Sequence, residues 1–476
     1  MDGLDAVEVR LSNLLVNNDE FRIDSEFFKK KFTVLDKFLM DSPKLDDLVY
    51  MSDLSTNGSF QTVSDIVNDN NPKVVPFIRS GNTGNIFIQK DELIFISKEA
   101  HIRLPKSTTK LHDIIMARKG KIGGATLIMP DEVGFNCNEN VIKLDIEDKE
   151  ELNPFYFATF FNSKFGLQQI ERLATGNVQP WVSIYQIRKL VIPILLKSFQ
   201  LKIEKVVMLA HSRLKESKKL YKEAENLLLE ELDLLDFEPS KDNISVKSFS
   251  ESFGSSGRLD SEYYLPKYDE LIERIEAQPF DELKNIVTLK KSIETGSDIY
   301  SDNGVEYIRV SNLTKMGLSK STISIPYDYF EEETLEKLQP KKDTILLSKD
   351  GTVGIAYSVK NETNIITSGA ILHLTIKDDR VLSEYLTLLL NSMVVQMQSK
   401  RDAGGSIIKH WKPSEISKIL IPIIDVLVQT QIEEKIKESF ILKEESEKFL
   451  ELAKKVVEMA IEEGEEVAIS LIIDIE

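Results

Sequence analysis

Along the chain, apolar residues recur every seventh position at Val207, Leu214, Tyr221, Leu228 and Leu235, with Ile203, Ala210, Ser217 and Ala224 at the complementary positions. This spacing predicts a long helix with a coiled-coil seam. Ile432, Ile436, Ser439, Ser446, Phe449, Ala453, Val456 and Ala460 form a second such stripe near the end of the chain. Small residues on both stripes let two helices approach closely, and their charged outer faces favour pairing with each other over packing on their own domains. Upstream of each stripe the pattern changes to short apolar runs punctuated by turn residues, as at Asn82-Thr83-Gly84-Asn85, Lys119-Gly120-Lys121 and Lys349-Asp350-Gly351. Short strands are expected there, followed by a helix near Pro154 to Gln169 in one half and Leu382 to Ser399 in the other. Each half therefore reads as a mixed α+β domain.

The two halves are copies of one unit. Arg22-Ile23-Asp24-Ser25-Glu26-Phe27-Phe28 answers to Arg258-Leu259-Asp260-Ser261-Glu262-Tyr263-Tyr264, and Phe77-Ile78-Arg79 with Asn82 answers to Tyr307-Ile308-Arg309 with Asn312. Asp113 to Met116 pairs with Asp343 to Leu346, and each run passes through a lysine, Lys119 or Lys349, into Gly120 to Gly123 or Gly351 to Gly354. Asn162-Ser163 pairs with Asn391-Ser392, Gly176 and Trp181 with Gly405 and Trp411, and Ile187 to Pro193 with Gln200 with Ile416 to Pro422 with Gln429. The order is the same in both halves, which chance would not preserve over six segments.

The expected organisation is an N-terminal helical segment (1–43), a first domain (44–195), a central helix (196–240), a linker and opening helix of the second repeat (241–280), a second domain (281–424), and a C-terminal helix with an acidic tail (425–476). Two equivalent helices, each leaving its domain, can pair antiparallel and hold the domains apart. A helix of roughly 35 residues is about 50 Å long.

Composition narrows the chemistry. Of the residues, 42% are apolar and 29% charged, as in ordinary folded protein. Cys137 is the only cysteine, which excludes an internal disulfide and a cysteine-based zinc site, and the five histidines lack metal-ligand spacing, so no metal site is expected. No stretch nears 18 apolar residues, and the first 22 residues lack a signal-peptide pattern, so a cytoplasmic protein without membrane contact is expected. The net charge of −18 argues against general affinity for polyanions but not against a local basic face. Residues 429–476 alone hold fourteen acidic and six basic side chains, so the acidity is partly segregated.

No catalytic site is legible. Asn153-Pro154-Phe155-Tyr156 has the outline of the Asn-Pro-Pro-Tyr of adenine methyltransferases, but its third residue is Phe and the second copy has Leu382-Ser383-Glu384-Tyr385. Proline in the first turn of a helix accounts for it. Gly120-Lys121-Ile122-Gly123-Gly124 lacks the Gly-Lys-Ser/Thr ending of a phosphate loop. What recurs instead is Arg79 and Asn82 against Arg309 and Asn312, basic turns at Lys119 and Lys349, and the Gly-Trp loops. Arginine and asparagine suit guanine and adenine edges in a major groove, and lysines in turns suit phosphates.

Ile345-Leu346-Leu347-Ser348-Lys349-Asp350-Gly351-Thr352-Val353-Gly354, the Asn391-Ser392 helix, Gly404-Gly405-Ser406, and Ile421-Pro422 before Gln429 and a coiled-coil helix together resemble the specificity subunit of type I restriction-modification enzymes. The first half departs from that pattern, with Ala117-Arg118 set against Leu347-Ser348 and Gly176-Asn177-Val178-Gln179 where Gly-Gly-Ser is expected. The resemblance implies two tandem target-recognition domains joined by an antiparallel coiled coil, reading two different halves of a bipartite, asymmetric double-stranded DNA target. It implies DNA contact by Arg79, Asn82, Arg118, Lys119, Lys121, Asn177, Gln179 and Trp181 in the first repeat. In the second it implies contact by Arg309, Asn312, Ser348, Lys349, Thr352, Lys409, His410 and Trp411. Partner contact is expected along the helices, at Ile203, Val207, Leu214, Tyr221, Leu228, Ile432, Ile436, Phe449 and Val456. Such a subunit has no activity of its own; it directs two copies of an S-adenosylmethionine-dependent adenine methyltransferase, usually with an ATP-dependent translocase and nuclease, so both cofactors are expected on partners and none on this chain.

A second class remains open: a duplicated protein-binding scaffold that touches no nucleic acid, favoured by the net charge and the Glu-rich tail. Charge reversal at Arg79, Lys119, Arg309 and Lys349 separates the two. An enzyme in its own right would have Asn153 as its best candidate.

Overall fold

The structure is a computed structural model that describes residues 22–54, 60–90, 93–176 and 179–475. It divides into two units, Met1–Leu214 with Glu444–Glu476, and Lys215–Lys443.

The first unit is built on an antiparallel sheet of four strands in the order Val49–Ser52, Val141–Ile146, Ile114–Ala117, Thr126–Leu127. The β-branched run Ile114-Ile115 suits a strand covered on both faces, and all four residues of Ile114–Ala117 are buried. Ile114, Met116, Ile142 and Leu144 face a core shared with the helices Pro154–Phe161 and Lys164–Leu173. Ile115 and Val141 face the other way, onto Ile78, Ile128 and Cys137. There a smaller sheet sets Lys73–Ile78 between Ile94–Ser97, antiparallel, and Asn136–Cys137, parallel.

The second unit repeats this plan. Val287–Lys291, Ile371–Ile376, Ile345–Ser348 and Ala356–Ser358 form the four-stranded sheet in the same order, and Val305–Ile308 lies between Ser324–Ile325, antiparallel, and Ile365–Thr367, parallel. The expected α+β duplication is therefore present.

Each single helix expected after the strands is in fact two: Pro154–Phe161 with Lys164–Leu173, and Ser383–Asn391 with Met393–Asp402. The repeated Asn-Ser causes the break. Asn162 donates from Nδ2 to the Ala158 and Ala125 carbonyls at 2.7 and 2.6 Å, and Asn391 donates to Thr387 and Ala356 at 2.9 and 2.8 Å. Each amide closes the first helix and ties it to the start of the outer strand, at Ala356 or at Ala125 just before Thr126–Leu127.

The long helices run Lys197–Glu231 and Val426–Glu463. Within the first unit Ile203, Val206, Val207 and Ala210 share a core with Ala453, Val456, Val457 and Ala460. The Leu196 N–H donates to Glu465, and Arg213 pairs with Glu445 at 3.1 Å, so the segments run antiparallel. Within the second unit Tyr221, Ala224 and Leu228 pack with Ile432 and Ile436, while Ser217 and Ser439 meet Oγ to Oγ at 3.2 Å and Lys435 pairs with Glu223 at 2.7 Å, again antiparallel. Leu235 does not extend the seam. The helix ends in a left-handed turn at Asp233 (φ 52°), with Leu234 N–H on the Leu229 carbonyl and Asp233 N–H on Glu230, a Schellman closure. Leu235 is left 48% exposed.

A buried glutamine in the first turn of each long helix fastens it to its domain. Gln200 accepts from Asn153 N–H and donates to the Glu151 and Leu195 carbonyls; Gln429 accepts from Leu382 N–H and donates to Arg380 and Ile424. Tyr156 and Tyr385 donate to the carbonyls of Pro193 and Pro422, the prolines of the Ile-Pro exits. Arg22 and Arg258 each grip the aspartate two residues on and reach a carbonyl at a helix end, Arg172 or Asp402. The shared sequence framework is thus a shared set of hydrogen bonds.

Candidate nucleic-acid interface

In each unit a turn after the central strand meets a five-residue loop after the second helix. In the first, Arg118 N–H donates to the Asn140 carbonyl, Val182 N–H donates to Arg118, and Gly120 N–H donates to Pro180. In the second, Lys349 N–H donates to Ala370, Trp411 N–H donates to Lys349, and Gly351 N–H donates to Lys409. The loops close alike, with Thr175 and Trp181, or Gly404 and His410, exchanging both backbone hydrogen bonds.

These bonds correct the pairing of the repeats. Arg118 is the counterpart of Lys349, Lys119 of Asp350, Trp181 of His410, and Val182 of Trp411. The same one-residue shift runs back through Ile114 and Ile345 to His112 and Asp343, both in the left-handed region at φ 65° and 64°. Two lysines and two tryptophans had lined up without being equivalent.

The consequence for the tryptophans is opposite. Trp181 is 42% exposed, whereas Trp411 is 1% exposed within the second core, as its counterpart Val182 is within the first. Trp411 is a packing residue, and its expected DNA contact is withdrawn. Ser348 is withdrawn too, being fully buried with its Oγ accepting from Ile355 N–H. Asn82, 2% exposed, accepts from Arg79 N–H and donates to the Gln89 carbonyl, so its amide builds the turn that presents Arg79. Asn312 does the same for the exposed Arg309, accepting from its N–H at 3.1 Å, but is itself only partly buried.

Arg118, Lys119, Gln179 and Trp181 come together around an open cleft of about 470 Å³. Arg118 lies 3.7 Å from Asp53, while Lys119, Gln179, Trp181 and nearby Lys121 are exposed. Asn177 lies outside the described residues. At the equivalent corner of the second unit Asp350 is held between Lys349 Nζ and His410 Nδ1, with Lys409 and Thr352 exposed beside it. The loop carries two residues that the sequence reading passed over, Ile407 at 95% and Ile408 at 55% exposure. Their signal was legible: two adjacent apolar residues in a Gly-Gly-Ser loop, where polar ones are the norm.

The helix-seam residues expected to meet partners meet each other instead. Ile203, Val207, Tyr221, Leu228, Ile432, Ile436 and Val456 are buried in the cores of their own units, and Leu214 and Phe449 are packed at the edge. A protein partner at the helices would touch their outer faces.

Asn153 caps the helix Pro154–Phe161, its Oδ1 accepting from Phe155 and Tyr156 N–H, which accounts for the methyltransferase-like tetrad. Burial pushes the Cys137 thiol up to about 12. Among the described residues no group of three or more His, Cys, Asp or Glu is placed to hold a metal, and no helix is long and apolar enough to cross a membrane.

Residues 279–448 match the family described as type I restriction modification DNA specificity domain. No curated protein is significantly similar to the chain. Among solved structures, the S subunit of a type I restriction-modification system from M. genitalium is similar at 14% identity, covering 88% of this chain and 94% of that one, with a TM-score of 0.37. The HsdS subunit from Thermoanaerobacter tengcongensis is similar at 12% identity, covering 89% and 96%, with a TM-score of 0.28.

Proposed function

We propose that the chain, whose residues 279–448 match the type I restriction modification DNA specificity domain, reads a bipartite DNA target for a methyltransferase complex. The observation that carries this reading is the pair of corners just described: one backbone frame, hydrogen bond for hydrogen bond, with different side chains displayed on it. A repeated frame suits the docking of two like subunits. Unlike loops on that frame suit the reading of unlike half-sites.

Arg79, Arg118, Lys119, Lys121, Gln179 and Trp181 serve the first half-site in this reading. Arg309, Asn312, Lys349, Thr352, Lys409 and His410 serve the second. Two copies of an adenine methyltransferase, with or without a translocase and nuclease, bind the exposed faces of the helices and domains rather than the closed seam. S-adenosylmethionine and ATP belong to those partners, and much of the phosphate contact that an acidic chain lacks comes from them too.

The test is to purify the chain with its methyltransferase and map the methylated adenines. A split, asymmetric sequence is expected, and methylation indifferent to sequence overturns the proposal. Exchanging residues 44–195 for another recognition domain should change one half of that sequence and leave the other.

A further inference from the structure

We propose that the loop Gly404–His410 is a rigid ribbon that enters the major groove and sets Ile407 against the C5 methyl group of a thymine. The inference rests on the DNA-reading function above and names one chemical feature of the second half-site.

The loop is built to hold its shape. Gly404 and His410 exchange both backbone hydrogen bonds, at 3.0 and 2.7 Å, so its two arms form a short ribbon. Beneath it Gly351 N–H donates to the Lys409 carbonyl, Trp411 N–H donates to Lys349, and His410 is tied to Asp350 at 2.8 Å. Gly405 sits at φ 110°, with the Ile408 carbonyl where a Cβ would stand, at 2.0 Å. At the tip of this braced ribbon Ile407 is 95% exposed, with Ile408 beside it.

Leaving an isoleucine in water forgoes its burial, which favours a ligand that covers it. Charge identifies the ligand. Lys409 adjoins the isoleucines and forms no ion pair among the described residues, and the Asp350 carboxylate at the corner is paired with Lys349. An apolar tip flanked by cationic side chains fits a base edge between two phosphate rows. A two-stranded ribbon fits the major groove, about 12 Å wide, and not the minor, about 6 Å, and the thymine methyl is the apolar group that base edges display there.

The first repeat marks the contrast. Gly176 stands against the Gln179 carbonyl as Gly405 does against Ile408, so an amide occupies the loop position that the second repeat gives to an isoleucine. A glutamine suits an adenine edge. That position is Ile408 in the second repeat, so the two loops differ in polarity at the residue beside the Ile407 contact.

The experiment uses the complex of the full chain with its methyltransferase and a duplex bearing the mapped target. Each thymine of the second half-site is replaced in turn by deoxyuridine, which removes only the methyl group. Binding should weaken about fourfold at one position, the worth of one buried methyl. Ile407→Ala should weaken binding to the thymine duplex while making that deoxyuridine substitution silent, the coupling expected of a direct contact. Ile244→Ala, at an isoleucine 80% exposed in the linker, should change neither. A second half-site without thymine, deoxyuridine silent at every position, or equal loss from Ile407→Ala on both duplexes overturns the inference. Intact sequence selectivity with silent deoxyuridine overturns this contact alone; methylation without selectivity overturns the function beneath it as well.

Discussion

His410 Nδ1 stands 2.8 Å from Asp350 Oδ1 at the place where the first repeat sets Trp181 against Lys119. One corner is therefore aromatic and cationic, and the other holds an acid between two bases. Backbone bonds common to both corners make this a difference of chemistry at one address, so exchanges between them are informative.

Lys119→Glu should weaken DNA binding by the assembled complex tenfold or more at moderate salt, and lower the slope of log affinity against log salt by about one. Asp350→Lys should raise the slope by a similar amount. Affinity measured from low to high salt checks both, and slopes unchanged in both variants would place these corners away from phosphate.

Gly405→Ala puts a Cβ 2.0 Å from the Ile408 carbonyl at φ 110°, and Gly176→Ala puts one 2.6 Å from the Gln179 carbonyl at φ 94°. Neither loop can accept the methyl without moving, and the strain is of order 1–3 kcal/mol. Sequencing of methylated sites should show selectivity relaxed in the second half-site for Gly405→Ala and in the first for Gly176→Ala.

Gln200→Ala and Gln429→Ala each strip a buried staple of three hydrogen bonds and strand a backbone N–H, of Asn153 or Leu382. The loss should be about 2–3 kcal/mol in each case, read as a lower urea midpoint. A midpoint that does not move would mean that the helices are held without them.

His373, 4% exposed and 2.8 Å from Thr367 Oγ1, has its pKa lowered by burial, with help from Lys290, to about 4. It folds neutral. Below the ordinary value of 6.5 the unfolded chain takes up a proton that the folded chain refuses until about pH 4. Stability contributed by this site should therefore be complete above pH 6.5 and decline as pH falls to about 4, by about 3 kcal/mol in all. His373→Gln should flatten thermal stability across that window. In the first repeat the same sheet position holds Lys143, 3.4 Å from Asp113, whose carboxyl is pushed up by burial.

Much of the fold was legible because burial obeys periodicity. Ile203, Val207, Ile432, Ile436 and Val456 were placed on the seam by spacing alone, and they lie in it. Leu235 was misplaced because the sequence pattern does not register the left-handed turn at Asp233 that ends the helix. The site was harder. Lys119 and Lys349 share an identity and each leads into a Gly-x-x-Gly turn, and only the bonds through Arg118 and Lys349 show that they stand one residue apart. Asn82 carries a base-reading side chain in type, but the geometry of its turn engages both ends of the amide. Residue type states what a side chain could bond; only the backbone around it states what it does.

Trp181, partly in water at the cleft, and Trp411, sealed in the opposite repeat's core, are the only tryptophans in the chain. They give the protein two native fluorophores with separable emission, the exposed indole at longer wavelength and the buried one at shorter. With no label attached, ligand arriving at the first repeat should quench the red side of the spectrum. Melting of the second repeat should shift the blue side, so occupancy of one half and integrity of the other can be followed in a single cuvette.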